Sequence, residues 1–295
     1  MDFPSPHVVA PQERHTHTAI FLHGRGSTAL EFCEDLLQST TSQLKSLPDS
    51  LPHFRWVFPA AKTLYSTRFQ EMQWAWFDVW SLENVEERQE LVLESLRESV
   101  SHLLAILADE IERVGGDASR VFLCGISQGM ATALWTFFCA VGQIKQPLGG
   151  LVGFCGWLPF ARKVEDLIRR QQAMALLPSS VTGLILADSN GLDNNRAILT
   201  LLRDLLDLPS LARIDASTDI SILSTPVLLS HGSDDQVVPI RLGRQAARFL
   251  QHLNGSTEWA YFSGAEANGH WIKEPDGFDQ ILNFLNKRLN SRSHS

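Results

Sequence analysis

Gly125-Ile126-Ser127-Gln128-Gly129 is the segment of this chain best suited to do chemistry. It follows the apolar run Val121-Phe122-Leu123-Cys124 and precedes a run of helical spacing that begins at Met130. At a sharp turn from strand to helix a serine is held in an unfavourable backbone conformation, and the flanking glycines make room for the close approach of the two elements. Its hydroxyl then stands clear of the sheet at a helix N-terminus, where the dipole favours negative charge developing on an attacked carbonyl. A serine hydroxyl is nearly inert at neutral pH. Ser127 as nucleophile therefore requires a base within hydrogen-bond reach and an acid to orient that base.

In a strand–turn–helix setting of this kind the acid and then the histidine follow the serine along the chain. The downstream histidines are His231, His252, His270 and His294. His294 sits in a polar tail, His252 falls inside a helix, and His231 ends a strand where it shapes the turn that follows. His270 comes after Gly264-Ala265-Glu266-Ala267-Asn268-Gly269, a loop beyond the last expected strand, and is the expected base. For the acid, His231-Gly232-Ser233-Asp234-Asp235-Gln236-Val237-Val238-Pro239 offers two aspartates. Asp235 completes an H-G-x-x-D-x-x-V-P run that leads into the next helix, whereas Asp234 suits the cap of the turn. Asp188 is a third, more distant candidate.

Acyl transfer also needs N–H donors aimed at the oxyanion. The backbone of Gln128, directly after the serine, supplies one. The backbone of Arg25 in His23-Gly24-Arg25-Gly26 supplies the other, because glycines let that loop bend toward the site. The alternative is a glycine turn without a ligand, with His23 as a satisfied structural histidine.

These groups need a scaffold that carries them to one place. Short apolar runs bounded by Gly or Pro occur at residues 18–22, 55–58, 121–124, 150–154, 227–230 and 258–262, the form of parallel strands covered on both faces. Helices separate them. Val92, Leu96, Val100, Leu103, Leu107 and Ile111 make one apolar stripe within residues 85–114, stopped by Gly115-Gly116. Further helices are expected after Ser127 and at residues 239–253 and 278–289. The alternation predicts an open, mostly parallel sheet with helices on both faces. Between Trp157 and Ser224 the rhythm breaks: residues 164–177 and 194–208 read as helices, and residues 181–186 fit a strand as readily as anything else.

The formal charge of −8 argues against a nucleic-acid partner, which needs clustered Lys and Arg. Cys33, Cys124, Cys139 and Cys155 form no C-x-x-C pair, so free thiols in a reducing compartment are expected rather than disulfides or a metal site. The first residues lack the apolar core of a secretory signal, and no apolar run reaches the ~20 residues of a membrane helix. The expectation is a cytoplasmic protein.

Five pieces in this order resemble the acyl-protein thioesterase and lysophospholipase-like carboxylesterases: residues 23–26, Trp76-Phe77-Asp78, Gly125 to Met130, Gly156-Trp157-Leu158-Pro159, and residues 231–239. The resemblance implies one α/β-hydrolase domain over residues 1–295, with an N-terminal extension at 1–17 and a helical insertion at about 160–222 before the acid-bearing strand. It implies an esterase or thioesterase with no metal or organic cofactor, acting on a small-molecule ester or an acylated protein or lipid. Position by position it points to Ser127, Asp235 and His270, with backbone donors at Arg25 and Gln128, and it puts Trp76 and Trp157 near the acyl site. Core packing is the competing reading for both tryptophans. The insertion, Met130 where a small residue is common, and Trp271-Ile272-Lys273-Glu274 depart from the family pattern. A lid, surface decoration and a homodimer contact are the readings of the insertion. A hydrolase or lactonase of a specialised metabolite, and a binding protein that kept the fold without the reaction, are the rival functions.

Overall fold

The computed structural model describes residues 2–175, 191–208 and 214–290. Its main sheet is built from β1 (His7–Val9), β2 (His17–Leu22), β3 (Phe54–Phe58), β6 (Val121–Ile126), β7 (Gly150–Phe154), β8 (Val227–Gly232) and β9 (Thr257–Phe262). The spatial order is β1-β3-β2-β6-β7-β8-β9. Within this sheet β1 is antiparallel to β3, and the other neighbours are parallel. β4 (Lys62–Ser66) and β5 (Glu71–Ala75) form a separate antiparallel hairpin. The helices are α1 (Ala29–Gln38), α2 (Leu47–Ser50), α3 (Glu90–Arg113), α4 (Gln128–Cys139), α5 (Ala161–Ala175), α6 (Gly191–Leu206), α7 (Ile240–Leu253) and α8 (Asp276–Asn290).

Successive residues of a strand face opposite sides of a sheet, and the two apolar clusters follow that alternation. Ile20, Leu22, Leu123, Leu151 and Leu229 join the cluster under α3, α4, α6 and α7, whereas Ala19, Phe21, Phe122, Val152 and Leu228 join the cluster under α1 and α8. Over the central strands each face of the sheet is therefore dry, which is why those strands read as continuous apolar runs. α4 is buried along its whole length, since α3 and α6 pack over it.

Six expected strands and the helices at 90–113, 128–139, 240–253 and 276–290 fall where the patterns place them, with ends shifted by a few residues. α3 starts at Glu90 rather than near 85, in step with its stripe, whose first buried member is Val92. Five elements were not anticipated: β1, the two strands of the β4–β5 hairpin, α1 and the four-residue α2. β1 is three half-buried residues, too short to show a period. The β4–β5 hairpin is mostly half-buried and lacks a continuous apolar face. α1 carried a readable signal: Thr28 and Glu31 form a reciprocal capping box at its start. The ambiguous run at residues 181–186 and Asp188 lie outside the described residues.

In the region expected as an insertion, α5 and α6 pack against each other, and α6 also packs on α3 and α4. Ile198, Leu199, Leu202 and Leu206 of α6 are fully buried. This helix belongs to the core, which does not fit surface decoration.

The chain leaves β2 first toward β3 and later toward β6 on its other side. Such a reversal opens a crevice beyond the carboxyl ends of the two strands, the usual ligand position in open α/β sheets. One register row crosses the sheet here: Leu22 pairs with Gly125, Gly125 with Gly153, Gly153 with Leu229, and Leu229 with Trp259. The loops that leave these five strands thus emerge along one edge.

Candidate active site

Ser127 sits between β6 and α4 with φ 57° and ψ −124°, a conformation that costs about 1–3 kcal/mol and persists only where packing enforces it. Two glycines enforce it. A Cβ on Gly125 would lie 2.5 Å from the carbonyl carbon of Gly129, and a Cβ on Gly129 would lie 2.3 Å from the Leu22 carbonyl oxygen. Both obstacles are backbone atoms, one of α4 and one of β2, and cannot swing away. Gly129→Ala is therefore expected to destabilise the protein by about 3 kcal/mol or more; urea unfolding of the variant, or its failure to accumulate in soluble form, checks this.

Ser127 lines a cavity of about 320 Å3 together with Gly24, Arg25, Gln128, Trp157 and His270. The serine is 8% exposed. Gly24 comes closest from the β2 side: a Cβ placed there would be 3.8 Å from the Ser127 hydroxyl oxygen. The backbone N–H of Gln128 opens α4, where first-turn N–H groups have no partner within the helix. Its side chain faces the other way, accepting from the Trp76 N–H at 2.9 Å and donating to the Phe77 carbonyl at 2.7 Å. The Arg25 guanidinium lies 5.2 Å over the Phe69 ring of the hairpin. Gly26 donates to the Trp74 carbonyl at 2.8 Å.

His23 proves to be a satisfied structural histidine. Its Nε2 accepts from the Ala61 N–H at 3.1 Å, so Nδ1 carries the proton and donates to the Gly24 carbonyl at 2.7 Å. Burial holds its pKa down to about 4, so the ring is neutral at physiological pH. The loop after β2 is thus pinned by an uncharged ring.

The loops after β8 and β9 are stitched to each other. The Gln236 N–H donates to the Asn268 carbonyl at 3.1 Å. A Cβ on Gly232 would sit 2.3 Å from the Gly269 carbonyl oxygen, and one on Gly269 would sit 2.8 Å from that of Asp234. The Nδ1 of His270 lies 2.8 Å from Oδ2 of Asp235. Oδ1 accepts from the N–H groups of Val237 and Val238, both at 2.8 Å. Burial by itself would raise the Asp235 pKa, but bonds from His231, His270 and the Val238 N–H outweigh it and hold the carboxyl well below the usual carboxylate range. An ionised carboxylate only accepts, so His270 carries its proton on Nδ1 and keeps Nε2 as the basic nitrogen. Ser127 and His270 share the cavity wall without a hydrogen bond between them among the described contacts.

Asp234 does not join this cluster; its Oδ2 accepts from the Gly264 N–H at 2.8 Å and ties the turn after β8 to the loop after β9. Two neighbours complete the surroundings of Asp235: His231, expected to shape the turn after its strand, and Cys155, whose place here the sequence reading missed. His231 Nε2 lies 2.8 Å from the Val238 carbonyl and 3.3 Å from Oδ2 of Asp235. The thiol of buried Cys155 completes a group with Asp235 and His270 whose ligand atoms lie within 4.8 Å of one another. As a metal centre the group fits poorly: both carboxylate oxygens are engaged, and burial pushes the Cys155 pKa up, disfavouring the thiolate a metal would need. Trp157 lines the cavity, but Trp76 is fully buried beneath it and donates its indole N–H to the His23 carbonyl at 2.9 Å.

The sheet order, the strained serine turn and the crevice beside it define an α/β hydrolase. Residues 4–177 and 209–289 match the phospholipase/carboxylesterase family, and the chain belongs to that family. Acyl-protein thioesterase 1 of Yarrowia lipolytica is 25% identical over 288 residues, which cover 96% of each chain. The protein of the same name from Gibberella zeae is 23% identical over 290 residues, covering 97% of this chain and 96% of its own. The crystal structure of Zea mays acyl-protein thioesterase 2 shares the fold with a TM-score of 0.63 at 23% identity, covering 97% of this chain and 99% of that one. Esterase PE8 does so with a TM-score of 0.60 at 22% identity over the same shares. The chain is thus a carboxylic ester hydrolase of the acyl-protein thioesterase and carboxylesterase kind.

Proposed function

We propose that this protein cleaves carboxylic ester or thioester bonds through an acyl-enzyme, with Ser127 as nucleophile, His270 as base and Asp235 as acid. One observation carries the reading: an imidazole whose Nδ1 is held by an ionised carboxylate shares a cavity wall with a serine on a strained turn. His270 Nε2 takes the hydroxyl proton as Ser127 Oγ attacks the carbonyl carbon. The N–H groups of Gln128 and Arg25 receive the charge that collects on the carbonyl oxygen. The imidazolium returns its proton to the departing alcohol or thiol, and water then attacks the acyl-serine by the same route. Each step uses groups of this chain, without a metal or organic cofactor.

The cavity wall also carries Phe32, Val79, Leu82, Ile126, Trp157 and Trp271. This apolar lining favours a substrate whose acyl part is hydrocarbon, and a volume at the lower end of the range for small-molecule sites favours a compact one. Cys33, Cys124, Cys139 and Cys155 are buried free thiols, which supports a reducing, cytoplasmic setting. Among the described residues no helix is long and apolar enough to cross a membrane.

A fluorophosphonate probe tests nucleophile and activation together. The expected result is a single covalent adduct mapped to the peptide that contains Ser127. An adduct on another serine, or none at all, would remove the assignment.

A further inference from the structure

The end of α4 remote from Ser127 meets a second cavity of about 310 Å3, walled by the turn after α4, by α6 and by residues 217–219. Arg203 of α6 lines it, although the residue is only 8% exposed. Among the described residues its Nε has no hydrogen-bond partner, and no carboxylate there pairs with the guanidinium. Arginine does not escape such burial by losing its proton. A buried charge left unpaired costs several kcal/mol.

Two bland explanations fall short. A cation near the C-terminus of α4 gains from the helix dipole, but by no more than about 2 kcal/mol. Among the described contacts the last-turn carbonyls make no hydrogen bond to Arg203 either; Cys139 accepts from the Gln143 side chain and Thr136 from the Ala140 N–H. The Cys139 thiol nearby cannot neutralise Arg203, because burial raises its pKa to about 12 and keeps it uncharged. Lys145, exposed, adds a second cation to the cavity wall. Asp219 is the carboxylate that lines it, and its Oδ1 already accepts from the Ser221 N–H at 2.8 Å. Two cations face one anion, in a chain whose formal net charge is −8.

We propose that this cavity binds a small oxyanion of the phosphate type, free or as a monoester, with Arg203 and Lys145 as its charged ligands. A bidentate guanidinium and a mobile ammonium match the oxygens of such a group. Its volume exceeds that of phosphate alone, so a short esterified group also fits. Bound there, the anion ties α6 to the 217–219 turn and to the end of the helix that carries the nucleophile. Arg203 lies in residues 178–208, which fall outside the family match, whereas Lys145 and residues 217–219 lie inside it.

Calorimetric titration and thermal unfolding of the full chain with sodium phosphate and with glycerol 3-phosphate, against sodium chloride, test this. Saturable binding with a rise in Tm is expected. Tighter binding of phosphate identifies the free ion as the ligand, and tighter binding of the ester identifies a monoester. Arg203→Met should weaken the binding by about tenfold or more, and Lys145→Gln should weaken it by less. Without anion, Arg203→Met should unfold at the parent Tm or above it, since an apolar chain replaces an unpaired charge. If Arg203→Met does not fold, the exposed Lys145→Gln variant carries the comparison. No binding of either anion, or equal binding by parent and variants, overturns the proposal.

Discussion

Ser127→Ala is expected to lower kcat for a p-nitrophenyl ester by about six orders of magnitude, with KM changed little. The asymmetry follows from what the variant keeps. The cavity, the Trp157 wall and the Gln128 and Arg25 N–H groups remain, so ground-state binding persists. The bond-forming atom is gone. Residual turnover about a thousandfold or more above the reaction in water should survive, because the oxyanion donors still act on a direct attack by water. Stability should hardly move, since alanine tolerates the φ of 57° no worse than serine and the hydroxyl makes no hydrogen bond among the described contacts. Steady-state kinetics on active-site-titrated parent and on variant, with Tm for both, read these outcomes. A kcat within tenfold of the parent would place the nucleophile on another residue.

The serine and its scaffold were legible because each is encoded within a few residues. A buried parallel strand announces itself by continuous apolar residues between breakers, and the turn after β6 by two glycines at fixed offsets from Ser127. Positions that depend on convergence were less open to reading. Cys155 lies far from Asp235 and His270 along the chain, and it meets them only because β7, β8 and β9 are adjacent and in register; His231 meets Asp235 locally, four residues before it. Trp76 and Trp157 entered together through the family resemblance, yet the structure separates them: one lies under the loop after β2 with its indole N–H bonded to the His23 carbonyl, and the other faces the cavity. Type and spacing say that a tryptophan is needed, whereas the path of the backbone decides which face of the loop it covers. α6 shows the same limit from the other side. Its leucines mark a helix, but the partner that buries them could not be inferred.

Asp235→Asn is expected to lower kcat by about four orders of magnitude, while Asp234→Asn should cost no more than a few-fold. The reason lies in donors and acceptors rather than in lost charge alone. Oδ1 of Asp235 accepts from two backbone N–H groups, so an asparagine places its carbonyl oxygen there and its NH2 where Oδ2 now stands. That NH2 then confronts two ring nitrogens, Nδ1 of His270 at 2.8 Å and Nε2 of His231 at 3.3 Å. His231 has the Val238 carbonyl as an alternative acceptor and can stay as it is. His270 Nδ1 has no such alternative among the described contacts, and relieves the conflict by moving its proton to Nε2. The ring then offers Ser127 an N–H where a lone pair is needed, so the variant is folded and idle. Asp234→Asn keeps an oxygen for the Gly264 N–H and leaves the imidazole untouched. Kinetics of the two variants, with 15N chemical shifts of the His270 ring as the direct reading of the tautomer, separate these cases. The opposite ranking would hand the acid's role to Asp234 and break the link between the carboxylate at 2.8 Å and the basicity of Nε2.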